Sequence, residues 1–230
     1  MRMSRFLAAA VVAGTVSVSA VGDELQTPEE RLSYTIGMDV ANMMADQGLD
    51  IDLDVFFAGF RAQFLGEETL LTQEEADAER TAYIQRRQQE LEAERGQEAT
   101  RNLEAGQAFL AENRSRDGVT ETSSGLQYRI IEEGEGRSPT ATDRVTVHYR
   151  GTLIDGTEFD SSYARGEPAT FPLNGVIPGW TEGVQLMSEG AIFEFFIPAN
   201  LAYGEQGRPG PIGPNSTLVF QVELIEVHGD

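Results

Sequence analysis

The chain has 230 residues, with 17 basic and 38 acidic side chains and a formal charge of −21. That balance argues against nucleic acid and anionic membrane surfaces as partners. Cysteine is absent and histidine is limited to His148 and His228, which excludes disulfides, thiol chemistry and multi-histidine or cysteine metal centres.

Every basic residue is arginine. A saline habitat that screens an acidic surface and a genome rich in arginine codons both account for this. Residues 1–20, MRMSRFLAAAVVAGTVSVSA, read as a cleaved signal peptide. Arg2 and Arg5 form a basic start, Phe6 to Val16 a short apolar run, and Val18-Ser19-Ala20 a small-residue cleavage site. The run is too short to span a bilayer.

Residues 24–71 have a helical pattern. TPEE at 27–30 has the form of a capping box with Pro28 at the first helical position. Leu32, Ile36, Val40, Met43 and Met44 follow at helical spacing. After a turn at Gln47-Gly48, Asp52 can cap a second helix carrying Leu53, Phe56, Phe57, Phe60 and Phe64, which Gly66 ends. Two short helices with one apolar face each need a further surface to cover them. A second copy of the chain and the C-terminal domain are the two candidates.

Residues 72–116 open on a second capping box, TQEE, and then run rich in Ala, Glu, Gln and Arg without proline. At ~1.5 Å per residue such a helix would reach roughly 60 Å. Its apolar positions are sparse and keep no heptad, so it reads as a mostly solvated connecting arm, with Gly96 and Gly106 as places where it would bend. Residues 119–230 change character. GLQYRIIEEGEG alternates Leu126, Tyr128 and Ile130; RVTVHYRG alternates Val145, Val147 and Tyr149; AIFEFFIP and TLVFQVELIEV are further strands, with a short helix near 181–187. Antiparallel strands with one helix on one face make an α+β domain.

Common catalytic motifs are missing: no G-x-S-x-G, H-E-x-x-H, phosphate loop or dinucleotide fingerprint. The C-terminal region instead gathers Tyr149, Phe159, Phe171, Trp180, Tyr203 and Phe220 near strand ends and loops. On pattern alone these make either an apolar pocket or ordinary core. EFDSS at 158–162 places Asp160 beside two hydroxyl residues with no acid, nucleophile or metal partner in view; good turn chemistry alone would explain it.

VHYRGTLIDGTEFDSS, GVIPGWTEGVQLMSEG, LAYGEQGRPG and TLVFQVEL, in that order and spacing, resemble the FK506-binding-protein family of peptidyl-prolyl cis–trans isomerases over residues 119–228. Residues 25–125 resemble, more loosely, the dimeric exported bacterial branch, the macrophage infectivity potentiator and FkpA-like proteins.

The resemblance implies an antiparallel half-barrel sheet wrapped on one short helix. An all-α dimerisation region (24–71) and a long connecting helix (72–116) would precede it. It implies a proline pocket walled by Tyr149, Phe159, Val176, Ile177, Tyr203 and Phe220, with Trp180 as floor, Asp160 at the rim and Ile212 in an overhanging loop. Phe171 and Arg165 complete the set. Catalytic roles fall to Tyr149, Asp160, Tyr203 and Phe220.

Two positions depart from the family pattern. Ala169 stands where a second Phe is common, and Arg208 where a His is common, which bears on sequence preference and macrolide affinity. Implied partners are proline-containing unfolded or partly folded polypeptides, a second copy of the chain and an FK506-like macrolide. No metal, cofactor or nucleic acid is expected. The implied location is the periplasm, with peripheral association with the outer membrane as a variant.

Isomerisation explains a site without conventional machinery. Rotation about an Xaa-Pro bond faces an amide-resonance barrier of ~18–20 kcal/mol, and no covalent bond breaks. Asp160 would then orient Tyr149 or Arg165, or act on the rotating carbonyl through its field. The other reading is a catalytically weak binding clamp that holds non-native clients between two arms.

Overall fold

The computed structural model describes residues 24–229, so the signal-peptide reading of 1–20 lies outside the described residues. The chain divides into two compact units between Glu74 and Glu75.

The first unit is made of two capped helices. In α1 (Pro28–Asp46), Glu30 N donates to Thr27 Oγ1 at 3.1 Å and Thr27 N donates to Glu30 Oε2 at 3.0 Å, closing the capping box. In α2 (Leu53–Leu65), Asp52 Oδ1 accepts from Asp54 N and Val55 N, and Gly66 ends the helix at φ 68°. Neither helix contains a buried residue. Leu32, Ile36, Leu53, Phe57, Phe60 and Phe64 are each more than half exposed.

Helix α3 (Gln73–Asn113) runs unbroken through Gly96 and Gly106, and from Glu75 onward it belongs to the second unit. The expectation of a solvated arm fails for its last turns. A Cβ at Gly106 would collide with Thr217 Oγ1, so this glycine marks a close approach and not a bend. Asn113 and Gln127 are fully buried and paired, Asn113 Nδ2 donating to Gln127 Oε1 at 2.9 Å. Gln127 Nε2 in turn donates to Leu110 O at 2.9 Å, and Phe109 packs on Phe196.

The sheet has seven antiparallel strands: β1 (Val119–Glu121), β2 (Gln127–Glu132), β3 (Arg144–Leu153), β4 (Glu158–Ser161), β5 (Ala169–Pro172), β6 (Ile192–Ile197) and β7 (Leu218–His228). The order is β1-β2-β6-β7-β3-β4, with β5 also on β3. The expected alternation in β2 gives way to the α3 contact: Gln127 is buried while Ile130 is 43% exposed.

Helix α4 (Ser162–Arg165) follows β4 directly, and α5 (Pro178–Val184) lies on the sheet. α5 begins three residues earlier than the expected helix near 181–187, because Pro178 takes its first position. Gly183 permits its close seating, since a Cβ there would stand 2.7 Å from Phe195 Cε1. Val145, Val147, Leu173, Val184, Phe195 and Leu224 fill the core between helix and sheet.

Candidate active site

Strand β3 builds the site because its edge is shared. Residues 144–147 pair with β5 and residues 150–152 with β4, leaving His148 and Tyr149 opposite a gap. Ser162 fills that gap. Its fully buried hydroxyl accepts from Tyr149 N at 2.7 Å, donates to Tyr149 O at 3.2 Å and lies 3.0 Å from His148 Nδ1. A side chain thus replaces the missing strand partner, satisfying backbone groups that would be costly to leave unpaired.

The Tyr149 ring points from this gap into a cavity of about 490 Å³. Its lining includes Tyr149, Phe159, Asp160, Phe171, Gly175, Val176, Ile177, Trp180, Tyr203, Arg208 and Phe220. Trp180 is the hub. Tyr149, Phe171 and Phe220 meet it edge-on at centroid distances of 5.3, 5.4 and 5.1 Å. Edge-to-face contact suits the ring quadrupoles. Phe159 crosses Phe220 at 80° and 5.4 Å, over Gly151. A Cβ at Gly151 would stand 2.6 Å from the Phe159 ring and 2.7 Å from the Phe220 ring.

The rim carries the charge. Tyr149 Oη donates to Asp160 Oδ2 at 2.6 Å, Arg165 Nη1 donates to Asp160 Oδ1, and Arg165 Nη2 donates to Tyr149 Oη at 2.9 Å. Partial burial would raise the Asp160 carboxyl. The bonds from Tyr149 and Arg165, with the Arg165 charge, outweigh it and hold the carboxyl below its ordinary value. Burial, reinforced by Asp160, raises the Tyr149 phenol. Asp160 therefore stays an anion and Tyr149 a neutral donor through the physiological range.

Across the mouth, the Arg208 guanidinium lies 5.8 Å from the Tyr203 ring centroid and donates a long 3.4 Å bond to Tyr203 Oη.

Most residues singled out in the sequence converge here: Tyr149, Phe159, Asp160, Phe171, Val176, Ile177, Trp180, Tyr203 and Phe220 all line one cavity. Arg165 stands behind the wall, on Asp160 and Tyr149. Ile212 does not join them. It is 4% exposed, packs in the core cluster that also holds Trp180 and Phe220, and lines the groove against α3. Sequence reasoning overlooked Ser162, Gly151 and Gly175. The two serines of EFDSS were the available signal for Ser162, but its partner lies 13 residues away.

Comparison with known proteins agrees with this geometry. The family described as FKBP-type peptidyl-prolyl cis-trans isomerase matches residues 135–225. The family described as the domain amino terminal to FKBP-type peptidyl-prolyl isomerase matches residues 29–130. The chain is 49% identical over 201 residues to the probable FKBP-type peptidyl-prolyl cis-trans isomerase FkpA of Neisseria meningitidis, covering 86% of this chain and 74% of that one. It is 42% identical over 222 residues to the peptidyl-prolyl cis-trans isomerase Mip of Coxiella burnetii, covering 96% of each. The crystal structure of FkpA from Escherichia coli superposes with a TM-score of 0.76 at 37% identity, covering 89% of this chain and 99% of that one.

The chain belongs to the FKBP-type peptidyl-prolyl cis–trans isomerases. As such an enzyme it acts on proline-containing peptides, and the aromatic cavity joins an aromatic wall to a hydrogen-bonded carboxylate. This isomerase also shares the fold of its relatives: N-terminal helices including the long α3, then the antiparallel sheet with its short helix.

Proposed function

We propose that the aromatic cavity binds the prolyl ring and lowers the rotation barrier without covalent chemistry. The observation that carries this reading is the convergence of Tyr149, Phe171 and Phe220 around Trp180, with Phe159 on Phe220, beside a carboxylate held by two donors. A planar amide owes part of its stability to charge separation from nitrogen to oxygen. Transfer from water into an apolar cavity weakens that separation, while the twisted amide, whose resonance is already lost, suffers less. Phe220 and Phe159 hold the ring while the preceding carbonyl turns. Tyr203 Oη donates to the substrate backbone. Asp160 fixes Tyr149 and sets the field at the rotating carbonyl.

The absence of proton transfer is testable with an Ala-Leu-Pro-Phe peptide in H2O and D2O. A mechanism without proton transfer predicts equal catalysed exchange rates once viscosity is matched. A solvent isotope effect of twofold or more would point to proton transfer and against this reading.

In the cell the enzyme would act on exported polypeptides in the periplasm, where Xaa-Pro isomerisation takes tens of seconds unaided. Two lines support this location: the signal-like start at 1–20 and similarity to a Legionella longbeachae protein named outer membrane protein MIP, 43% identical over 213 residues. An FK506-like macrolide would occupy the same cavity, with Arg208 at its mouth.

The proposed organisation is a dimerisation region at 24–71, a connecting helix at 72–116 and an isomerase domain at 119–230. The unpaired apolar faces of α1 and α2 favour a homodimer. Phe60 and Phe64 stack at 5.8 Å while more than half exposed, and an open hollow of about 680 Å³ is lined by residues including Tyr34, Met38, Ala41 and Phe57. Two linked cavities would grip a non-native client more tightly than one, which is the clamp and chaperone reading. Sedimentation of the full chain is expected to give a dimer, and the Phe60→Glu, Phe64→Glu double variant a monomer. A wild-type monomer at micromolar concentration would remove the clamp.

A further inference from the structure

Arg208 lines two hollows at once. One is the aromatic cavity; the other is a groove of about 630 Å³ between the 91–101 stretch of α3 and residues 206–214. The groove's charged residues are Arg95, Arg101 and Arg208 against Glu94 and Glu98. None of these three arginines forms an ion pair among the described residues. A net positive groove therefore stands in a chain whose total charge is −21.

The walls of this groove are tied together. Asn102 Nδ2 donates to Pro214 O at 2.8 Å, Arg95 Nη2 donates to Gln206 O at 2.8 Å, and Asn215 Nδ2 donates to Ala99 O at 3.4 Å. At Gly213 the loop lies against the side chains of Glu98 and Asn102. The groove is thus a built feature of the second unit and borders the cavity at Arg208.

We propose that this groove is a substrate subsite that takes acidic residues flanking the proline. The proposal rests on the reading of the aromatic cavity as the prolyl site. A polypeptide with proline in that cavity extends past Arg208 at about 3.3 Å per residue. Carboxylates on its flank then meet Arg208, Arg101 and the outer face of Arg95. Partly exposed ion pairs are individually weak, so selectivity comes from several acting together on KM.

The test compares an Ala-Leu-Pro-Phe core flanked on both sides by three glutamates with the same core flanked by three lysines, at low salt. Overall charge alone predicts that the lysine peptide wins. The subsite predicts the reverse: kcat/KM higher for the glutamate peptide by about three- to tenfold, carried by KM. The difference should be lost in the Arg101→Gln, Arg208→Gln double variant and reduced in molar salt. A lysine preference, or a glutamate preference that survives the double variant, would overturn the proposal. If no peptide, including the bare tetrapeptide, is isomerised, the prolyl-site reading fails by itself. Quenching of Trp180 fluorescence by the two flanked peptides would then still decide the charge preference through their Kd values.

Discussion

Tyr149 and Asp160 are joined by a 2.6 Å hydrogen bond from Oη to Oδ2, and the segment that supplies Asp160 also grips Tyr149 by its backbone through Ser162. The phenol and the main chain of one pocket residue are therefore both held by residues 160–162. Asp160→Asn preserves the shape and removes the charge, leaving Arg165 without its carboxylate partner. Hydrogen bonds to charged groups contribute about 1.5–3 kcal/mol, less where solvent reaches them. A fall in kcat/KM of roughly tenfold is expected on a tetrapeptide, with a modest loss of thermal stability from the same weakened bonds.

Ser162→Ala should do the opposite in proportion. It leaves Tyr149 N–H without its partner in a buried gap, which costs about 1–3 kcal/mol. Thermal unfolding should shift down by several degrees, and catalysis should fall because Tyr149 loses its fixed position. Retained stability and activity would show that solvent replaces the hydroxyl without loss.

The pH dependence follows from the same cluster. The folded pKa of Asp160 is lowered, so its contribution to stability is complete above the unfolded value of ~3.9 and is lost as pH falls through the lower folded value. Catalysed exchange is expected to stay flat from about pH 8 down to the ordinary carboxylate value of ~3.9 and to decline only below it. On the alkaline side, burial and Asp160 raise the Tyr149 phenol above its ordinary ~10. An acid limb well above the carboxylate range would contradict this assignment.

Gly106→Ala reverses a general rule. Alanine in a helix interior is ordinarily more stable than glycine by about 1 kcal/mol. Here the new methyl would meet Thr217, whose β-branched side chain has little freedom to turn away. Overpacking of this kind costs about 1–3 kcal/mol, so differential scanning should show a lower Tm. The same change at Gly96, where nothing stands within 4 Å, should raise it.

Features set by near neighbours were legible in the sequence. Thr27 and Glu30 cap α1, Asp52 caps α2, and the β3 pattern of Val145 and Val147 points to the core, because each depends on residues a few positions away. The aromatic cavity became legible only with the family resemblance, since rings in a core and rings in a pocket share one pattern. The docking of α3 stayed hidden. Apart from Phe109 on Phe196, it is made by Gly106, Asn113 and Gln127, which carry no apolar signal and meet partners outside their own element. The ties of the Ile212 loop to α3 stayed hidden for the same reason: they run through Asn102 and Arg95, and nothing local announces that contact.

The measurement that tests the central claim most directly is NMR exchange on Ala-Leu-Pro-Phe with the full chain and with its Asp160→Ala and Phe220→Ala variants. The account predicts protein-dependent cis–trans exchange that falls by tenfold or more in Phe220→Ala and by roughly tenfold in Asp160→Ala, with both variants folded. Exchange undiminished in both folded variants would contradict the placement of catalysis in the aromatic cavity.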